Sequence, residues 1–379
     1  MRGLPERRPG RRGVMVAAAA AVAAVAVAAG TMTALGQSAA DDGPAPHAAR
    51  PRTSVTAGPP APTPSPSPSA GSQRPSATAT PAPTPRKPQA AAVSSARLYH
   101  HPDSQVVDWV REHPDDPRRA VVESRIANRP AAVWFTEYAP GTLTSRVRAV
   151  TSGAAAQGRV PVLVAYAIPD RDCGGASEGG APDLGAYDGW IDRFAAGLGS
   201  RETVVILEPD SVAQADCLDE EQRAARFASL ARAGRVLRAA NPKARVYYDA
   251  GHSRWNTPAQ QAALLKRAGA TAGAGIFSNV SNFQRTADEI AYDRKVLDAL
   301  GGPPGLGAVI DTSRNGNGAP ADGAWCDPDG RTIGRAPTLD TGEPRIDAYL
   351  WVKLPGESDG CKGAAGEFSP AYAYELASP

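Results

Sequence analysis

Net charge is what this chain most plainly lacks. Its 379 residues carry 41 lysines and arginines against 39 aspartates and glutamates, a formal balance of +2. No basic stripe follows the proline-rich stretch near the N-terminus, which argues against a nucleic-acid partner. Histidine is scarce as well: of five, His47, His100, His101 and His113 lie in that stretch or ahead of the first strand-like run, which leaves His252. An H-E-x-x-H motif, a C-x-x-C pair and a Cys/His cluster of zinc spacing are missing. Metallohydrolase and serine-esterase chemistry therefore find little footing, and no metal or cofactor is expected. Apolar runs of membrane-spanning length are also missing. The run from Val14 to Ala29, VMVAAAAAVAAVAVAA, falls short of the roughly 20 residues that cross a bilayer.

That short run still carries information. Arg2, Arg7, Arg8, Arg11 and Arg12 precede it and the small-residue stretch TALGQSAADD follows, the layout of a secretory signal over residues 1–40. Cleavage is expected between Ala34 and Ala40; the competing reading is an uncleaved anchor that tethers the protein to the membrane. Residues 41–95 are mostly Pro, Ala, Ser and Thr, too poor in apolar surface to fold, and read as a disordered, semi-stiff linker. Residues 96–379 have the length and mixed composition of one large domain. All four cysteines, Cys173, Cys217, Cys326 and Cys361, fall there. In an exported protein an even number points to disulfides, with the pairing left open.

Seven short β-branched or aromatic runs recur through this part, at 131–135, 160–167, 203–210, 244–249, 273–279, 306–312 and 348–353. Helix-like stretches at 141–157, 186–198, 219–240, 258–268 and 286–300 separate them; in TADEIAYDRKVLDAL apolar residues recur at i, i+3, i+4 and i+7. Strands alternating with helices predict a parallel sheet with helices outside, and the spacing suits a β/α barrel. Polar and aromatic residues gather where the runs end: Trp134, Tyr166 and Asp172, Glu208 and Asp210, Asp249, Asn279 and Asn282, Asp311, then Lys353 with Glu357 and Asp359. A single acid after a strand is often only the N-cap of the next helix. Polar or aromatic residues at seven tips in succession, all facing one barrel mouth, point to a catalytic face.

Six motifs occur in one order: PDRDC (169–173), ILEPDS (206–211), YYDAGHSRW (247–255), SNFQ (281–284), WCDPDGRTIG (325–334) and WVKLPGESDGC (351–361). Together they resemble glycoside hydrolase family 6, the inverting endo-1,4-β-glucanases and cellobiohydrolases, over essentially all of 98–379. The resemblance implies a distorted seven-stranded parallel β/α barrel. It implies that Asp210 is the general acid, that Asp172 supports its proton, and that Asp359 is the candidate base on the far side of the sugar. Tyr166 would press on the reacting sugar, and Ser177 or the backbone near it would hold a water. Inverting enzymes keep their two carboxyls about 6.5–9.5 Å apart to admit that water. Trp134, Trp255 and Trp325 would be sugar platforms; Lys353, Glu357, Asn282, His252 and Asp249 would contact or orient the glucan, and Glu208 would support the site. Trp109, Trp190 and Trp351 read as core. The likeness also implies pairings of Cys173 with Cys217 and Cys326 with Cys361.

Asp359-Gly360-Cys361 leaves no room for one of the long loops that roof the tunnel of exo-acting members, so an open cleft and endo action are expected, with a cellobiohydrolase as the alternative. A carbohydrate-binding protein with a dead site is disfavoured because binding alone does not call for three converging acids. The expected partner is a β-1,4-glucan chain, with no obligate protein partner, acting as a monomer.

Overall fold

Branched apolar residues form strands where both faces of a sheet are covered, and seven such strands follow one another here. The computed structural model describes residues 97–378, so the expected signal or anchor and the linker lie outside the described residues. The strands are β1 (Val133–Phe135), β2 (Val162–Ala165), β3 (Thr203–Leu207), β4 (Ala244–Asp249), β5 (Gly275–Ser278), β6 (Gly307–Asp311) and β7 (Ile346–Leu350). Each pairs in parallel with the next, in sequence order. Alternation along the strands divides the core. Val162, Val164, Val204 and Ile206 pack inside the curled sheet, while Leu163, Ala165, Val205 and Leu207 face the helices.

The helices are α1 (Gln105–Glu112), α2 (Arg119–Val122), α3 (Pro140–Ala156), α4 (Leu184–Ala195), α5 (Glu220–Ala240), α6 (Pro258–Arg267), α7 (Thr286–Leu300) and α8 (Pro370–Ala377). Their starts follow local chemistry. α5 opens on a capping box of Asp219 and Gln222; α6 opens on another of Thr257 and Gln260, with Pro258 in its first turn. Gly234 of α5 lies against Tyr248 of β4, where an added Cβ would overlap the phenol oxygen.

The five long helices occupy the stretches expected from periodicity. α1, α2 and α8 were not expected. They gather in a separate cluster with Val106, Trp109, Ile126 and Trp351, beside the place where the sheet would have to close. Closure is incomplete: β1 and β7 share no ladder. The seam is carried instead by the Ala132 N–H donating to the Trp351 carbonyl at 2.9 Å and the Trp134 indole donating to the Val352 carbonyl at 2.7 Å. Trp109, Trp190 and Trp351 are buried, as expected of core residues.

Candidate active site

The strands end sooner than their apolar runs suggest, and the acids stand just beyond them. β3 stops at Leu207; Glu208 and Asp210 then take left-handed backbone, with φ of 51° and 70°. Asp172, Asn279 and Ser281 do the same at neighbouring tips. Non-glycine residues held in this region carry strain, which clusters at functional sites. The turn at β3 sends the two carboxyls to different places. Glu208 is fully buried and accepts the Ala167 and Ile168 N–H groups at 3.0 Å, so it pins the end of β2. Asp210 lines the cleft. Burial, then the charges of Asp249, Asp172 and Asp359, hold its pKa well above the ordinary carboxylate range.

Asp249, expected to orient the glucan, does not line the cleft. It is 2% exposed, and its oxygens accept the N–H groups of Val212 at 3.0 Å, Ala213 at 2.8 Å and Gly251 at 2.9 Å. It therefore fixes the turn that follows Asp210 rather than touching a ligand.

At the end of β2, Tyr166 and Asp172 meet through Ser177. The Ser177 hydroxyl and N–H both donate to Asp172 Oδ2 at 2.9 Å, and the hydroxyl lies 3.1 Å from Tyr166 Oη. Arg171 makes no ion pair with Asp172; its guanidinium stacks on the Tyr166 ring at 4.5 Å and donates to the Ser177 and Thr136 carbonyls at 2.9 and 2.7 Å. Residues 175–179, GASEG, have the G-x-S-x-G spacing of a serine nucleophile turn, a pattern that by itself would admit an esterase. The surroundings of Ser177 exclude it: its hydroxyl meets a carboxylate and a phenol, and no histidine.

The opposite wall is built around Asp359. Arg314 grips it with both arms, Nη1 to Oδ2 at 2.8 Å and Nη2 to Oδ1 at 3.0 Å, and Lys353 Nζ stands 3.3 Å from Oδ1. Asp327 holds the loop itself, accepting the N–H groups of Asp359 at 2.8 Å, Cys361 at 3.0 Å and Lys362 at 2.9 Å. Sequence reasoning missed Arg314 and Asp327. Arg314 stands in SRNGNG, a stretch that looks like an ordinary basic loop, and nothing local signals that it is fully buried.

The three expected platforms line the cleft. Trp134 meets Tyr166 edge to face; Trp255 and Trp325 are 41% and 57% exposed, which leaves indole surface free for a ligand. His252 stacks beneath Trp255 with ring centroids 4.7 Å apart, and burial lowers its pKa to about 4, so it is neutral at ordinary pH. Gly251, at φ 63°, leaves room for the Trp255 ring, into which a Cβ would run. Asn282, Lys353 and Glu357 also line the cleft, and Gln105 donates to Glu357 at 3.0 Å. The cavity has a volume of about 1340 Å³. Disulfides join Cys173 to Cys217 and Cys326 to Cys361, each clamping loops at the mouth.

This many buried acids give stability a definite pH dependence. Burial raises Glu208, Glu289 and Glu357 from 4.5 to about 7, and raises Asp311 as well. A carboxyl whose pKa is raised by folding favours the folded state most below its unfolded value, and that contribution is lost as pH climbs through the folded value. Asp327, lowered to about 2 despite burial by hydrogen bonds from Ser358 and backbone N–H groups, works the other way and loses its contribution as pH falls below about 4. Thermal melts are therefore expected to give a higher Tm near pH 5 than near pH 8; equal or reversed values contradict these assignments.

A barrel mouth with one carboxyl whose pKa is raised by burial, further acids around it and indole faces along an open groove defines a glycoside hydrolase. The comparisons agree. The family model for Glycosyl hydrolases family 6 matches residues 93–378, and the chain belongs to that family. It is 54% identical over 288 residues to Endoglucanase 1 of Streptomyces sp. (strain KSM-9), covering 76% of this chain and 79% of the relative. It is 48% identical over 282 residues to Endoglucanase A of Thermobispora bispora, covering 74% of this chain and 61% of the relative. Among solved structures it is similar to the endoglucanase Cel6 from Mycobacterium tuberculosis, determined in complex with methyl-cellobiosyl-4-deoxy-4-thio-β-D-cellobioside. That likeness has a TM-score of 0.69 at 41% identity and covers 74% of this chain and 95% of the other.

Proposed function

We propose that this protein is a secreted endo-1,4-β-glucanase that hydrolyses internal bonds of cellulose or a related β-glucan with inversion. The observation that carries this reading is the setting of Asp210, a buried cleft carboxyl with acids rather than cations for neighbours, an environment that raises its pKa and suits it to donate a proton. As general acid it protonates the leaving oxygen while a glucan chain lies along Trp134, Trp255 and Trp325. Asp172, oriented by two hydrogen bonds from Ser177, favours retention of that proton by its charge and is placed to accept one through the Ser177 hydroxyl. Asp359 stands on the other wall, held by Arg314 and Lys353. Both of its oxygens already accept hydrogen bonds, from Arg314 and from the Asp327 N–H at 3.2 Å. Water attack is thus assigned to a molecule reached through this network rather than to a free carboxylate.

Endo action follows from the single residue between Asp359 and Cys361 and from the exposure of Trp255 and Trp325, which leave the groove unroofed. The same reading has residues 1–40 acting as an export signal and residues 41–95 as a spacer, with the enzyme working as a monomer. No helix among the described residues is long and apolar enough to cross a membrane. Proton NMR of the first product from a soluble cello-oligosaccharide is expected to show the α-anomer, and viscosity of carboxymethylcellulose is expected to fall faster than reducing ends appear. A β-anomer removes the inverting mechanism; slow viscosity loss removes endo action.

A further inference from the structure

Behind the cleft, apart from every residue given a part in bond cleavage, two carboxyls are buried without a counter-ion. Glu289 and Asp293 are both 0% exposed and stand one turn apart on α7, a spacing that brings side chains together. Among the described residues neither has a cationic group within 4.0 Å, and the adjacent Arg294 is engaged with Glu343 at 2.9 Å. One oxygen of each is used: Glu289 Oε1 accepts the Ser253 N–H at 3.0 Å, and Asp293 Oδ2 accepts the Ser278 hydroxyl at 3.0 Å. The other two, Glu289 Oε2 and Asp293 Oδ1, are buried with no partner.

Two buried carboxylate oxygens without partners, on side chains four residues apart along one helix, combine a desolvation cost with repulsion. One proton between them removes both, because a protonated carboxyl donates and its neighbour accepts. The two serines show what such a pair would hold. Ser253 belongs to the loop that carries His252 and Trp255, and Ser278 ends β5 just ahead of the turn that carries Asn282.

We propose that Glu289 and Asp293 share one proton and act as a positioning pair, holding the Trp255 loop to the end of β5 until the pair ionises fully. Burial raises Glu289 to about 7 and, with the Glu289 charge, raises Asp293 well above its ordinary value. Among the other titratable or charged groups around the pair, the Ser253 loop contributes His252 and Arg254, which flank Ser253 and line the cleft. Asp288 precedes the pair on α7, and Tyr292 of the same helix donates to the Ala250 carbonyl at 3.2 Å beside Asp249. β6 contributes Asp311, whose carboxyl accepts the Ser313 and Lys353 N–H groups at 2.8 and 2.9 Å. α6 contributes only Lys266 and Arg267, both exposed, the latter on Glu220.

The effect on sugar binding rests on the glucan reading of the cleft; the latch itself does not. The experiment follows Trp255 emission, isolated as the difference from a W255F background, between about pH 5 and pH 9, alongside kcat and KM for a soluble cello-oligosaccharide. In the wild type the Trp255 signal and KM are expected to shift together as the pair ionises. E289Q is expected to flatten both, because its amide N–H replaces the shared proton at every pH. E289A is expected to show the released signal throughout, with KM raised about tenfold. Should E289A fail to fold, E289Q and D293N carry the test. An E289Q profile that titrates like the wild type overturns the proposal, as does a Tm that climbs with sodium or calcium concentration, which would put a cation where the proton is assigned. Inactivity toward every glucan with an intact Trp255 titration would count against the function and not against the latch.

Discussion

Replacing Asp210 with alanine is expected to lower kcat on unactivated cello-oligosaccharides by a factor of about 10²–10⁴, the range that general acid catalysis supplies. The direction of the pH dependence follows from the same residue. The acid must carry its proton, and its pKa is raised by burial and by Asp249, Asp172 and Asp359. Activity of the wild type therefore falls as pH rises through that value, and this alkaline limb is expected to vanish in the variant. Folding should not suffer. Asp210 is buried with acids and no cation beside it, so removing it leaves no opposite charge unpaired, and the Tm of D210A is expected to stay close to that of the wild type. A variant that loses activity only by unfolding would contradict the assignment.

The second large effect concerns Arg314, and it is an effect on stability first. The guanidinium is fully buried. It bonds both oxygens of Asp359, lies 3.7 Å from Asp327, donates to the Ser281 carbonyl at 2.6 Å and stacks over Phe283 at 4.5 Å. Removing one partner from a buried ion pair leaves the other charge uncompensated, at a cost of about 3–5 kcal/mol. Arg314→Ala is expected to lose that much in denaturant unfolding and to lose activity as the Asp359 wall loosens. Arg314→Lys keeps the charge but not the two-armed grip, so it should recover part of the stability and little of the activity. An unchanged unfolding midpoint in Arg314→Ala would show that Asp359 is held by something else.

What could be read in advance, and what could not, divides along physical lines. Seven strands and five long helices were legible because burial on both faces leaves unbroken runs such as VVIL, and amphipathic helices leave a recurring apolar stripe. The ends were less legible. In ILEPDS the apolar run suggests a strand reaching Asp210, but the left-handed turn at Glu208 stops it at Leu207 and turns one acid inward and one toward the cleft. α1 and α8 have eight residues each, too few for periodicity to separate them from loops. Arg314, Asp327, Glu289 and Asp293 were invisible for a common reason: charged residues are usually solvated, and only the assembled fold shows that these four are buried. Family likeness located Asp249 near the site without showing that its carboxylate is taken up by three backbone N–H groups.

The measurement that bears most directly on the whole account compares two leaving groups in one variant. D210A should cleave a cellobiosyl substrate with a leaving group that departs without protonation, such as fluoride or dinitrophenolate, at close to the wild-type rate, while its rate on cellotetraose collapses. Equal losses on both substrates, or no loss on either, would mean that Asp210 does not deliver the proton.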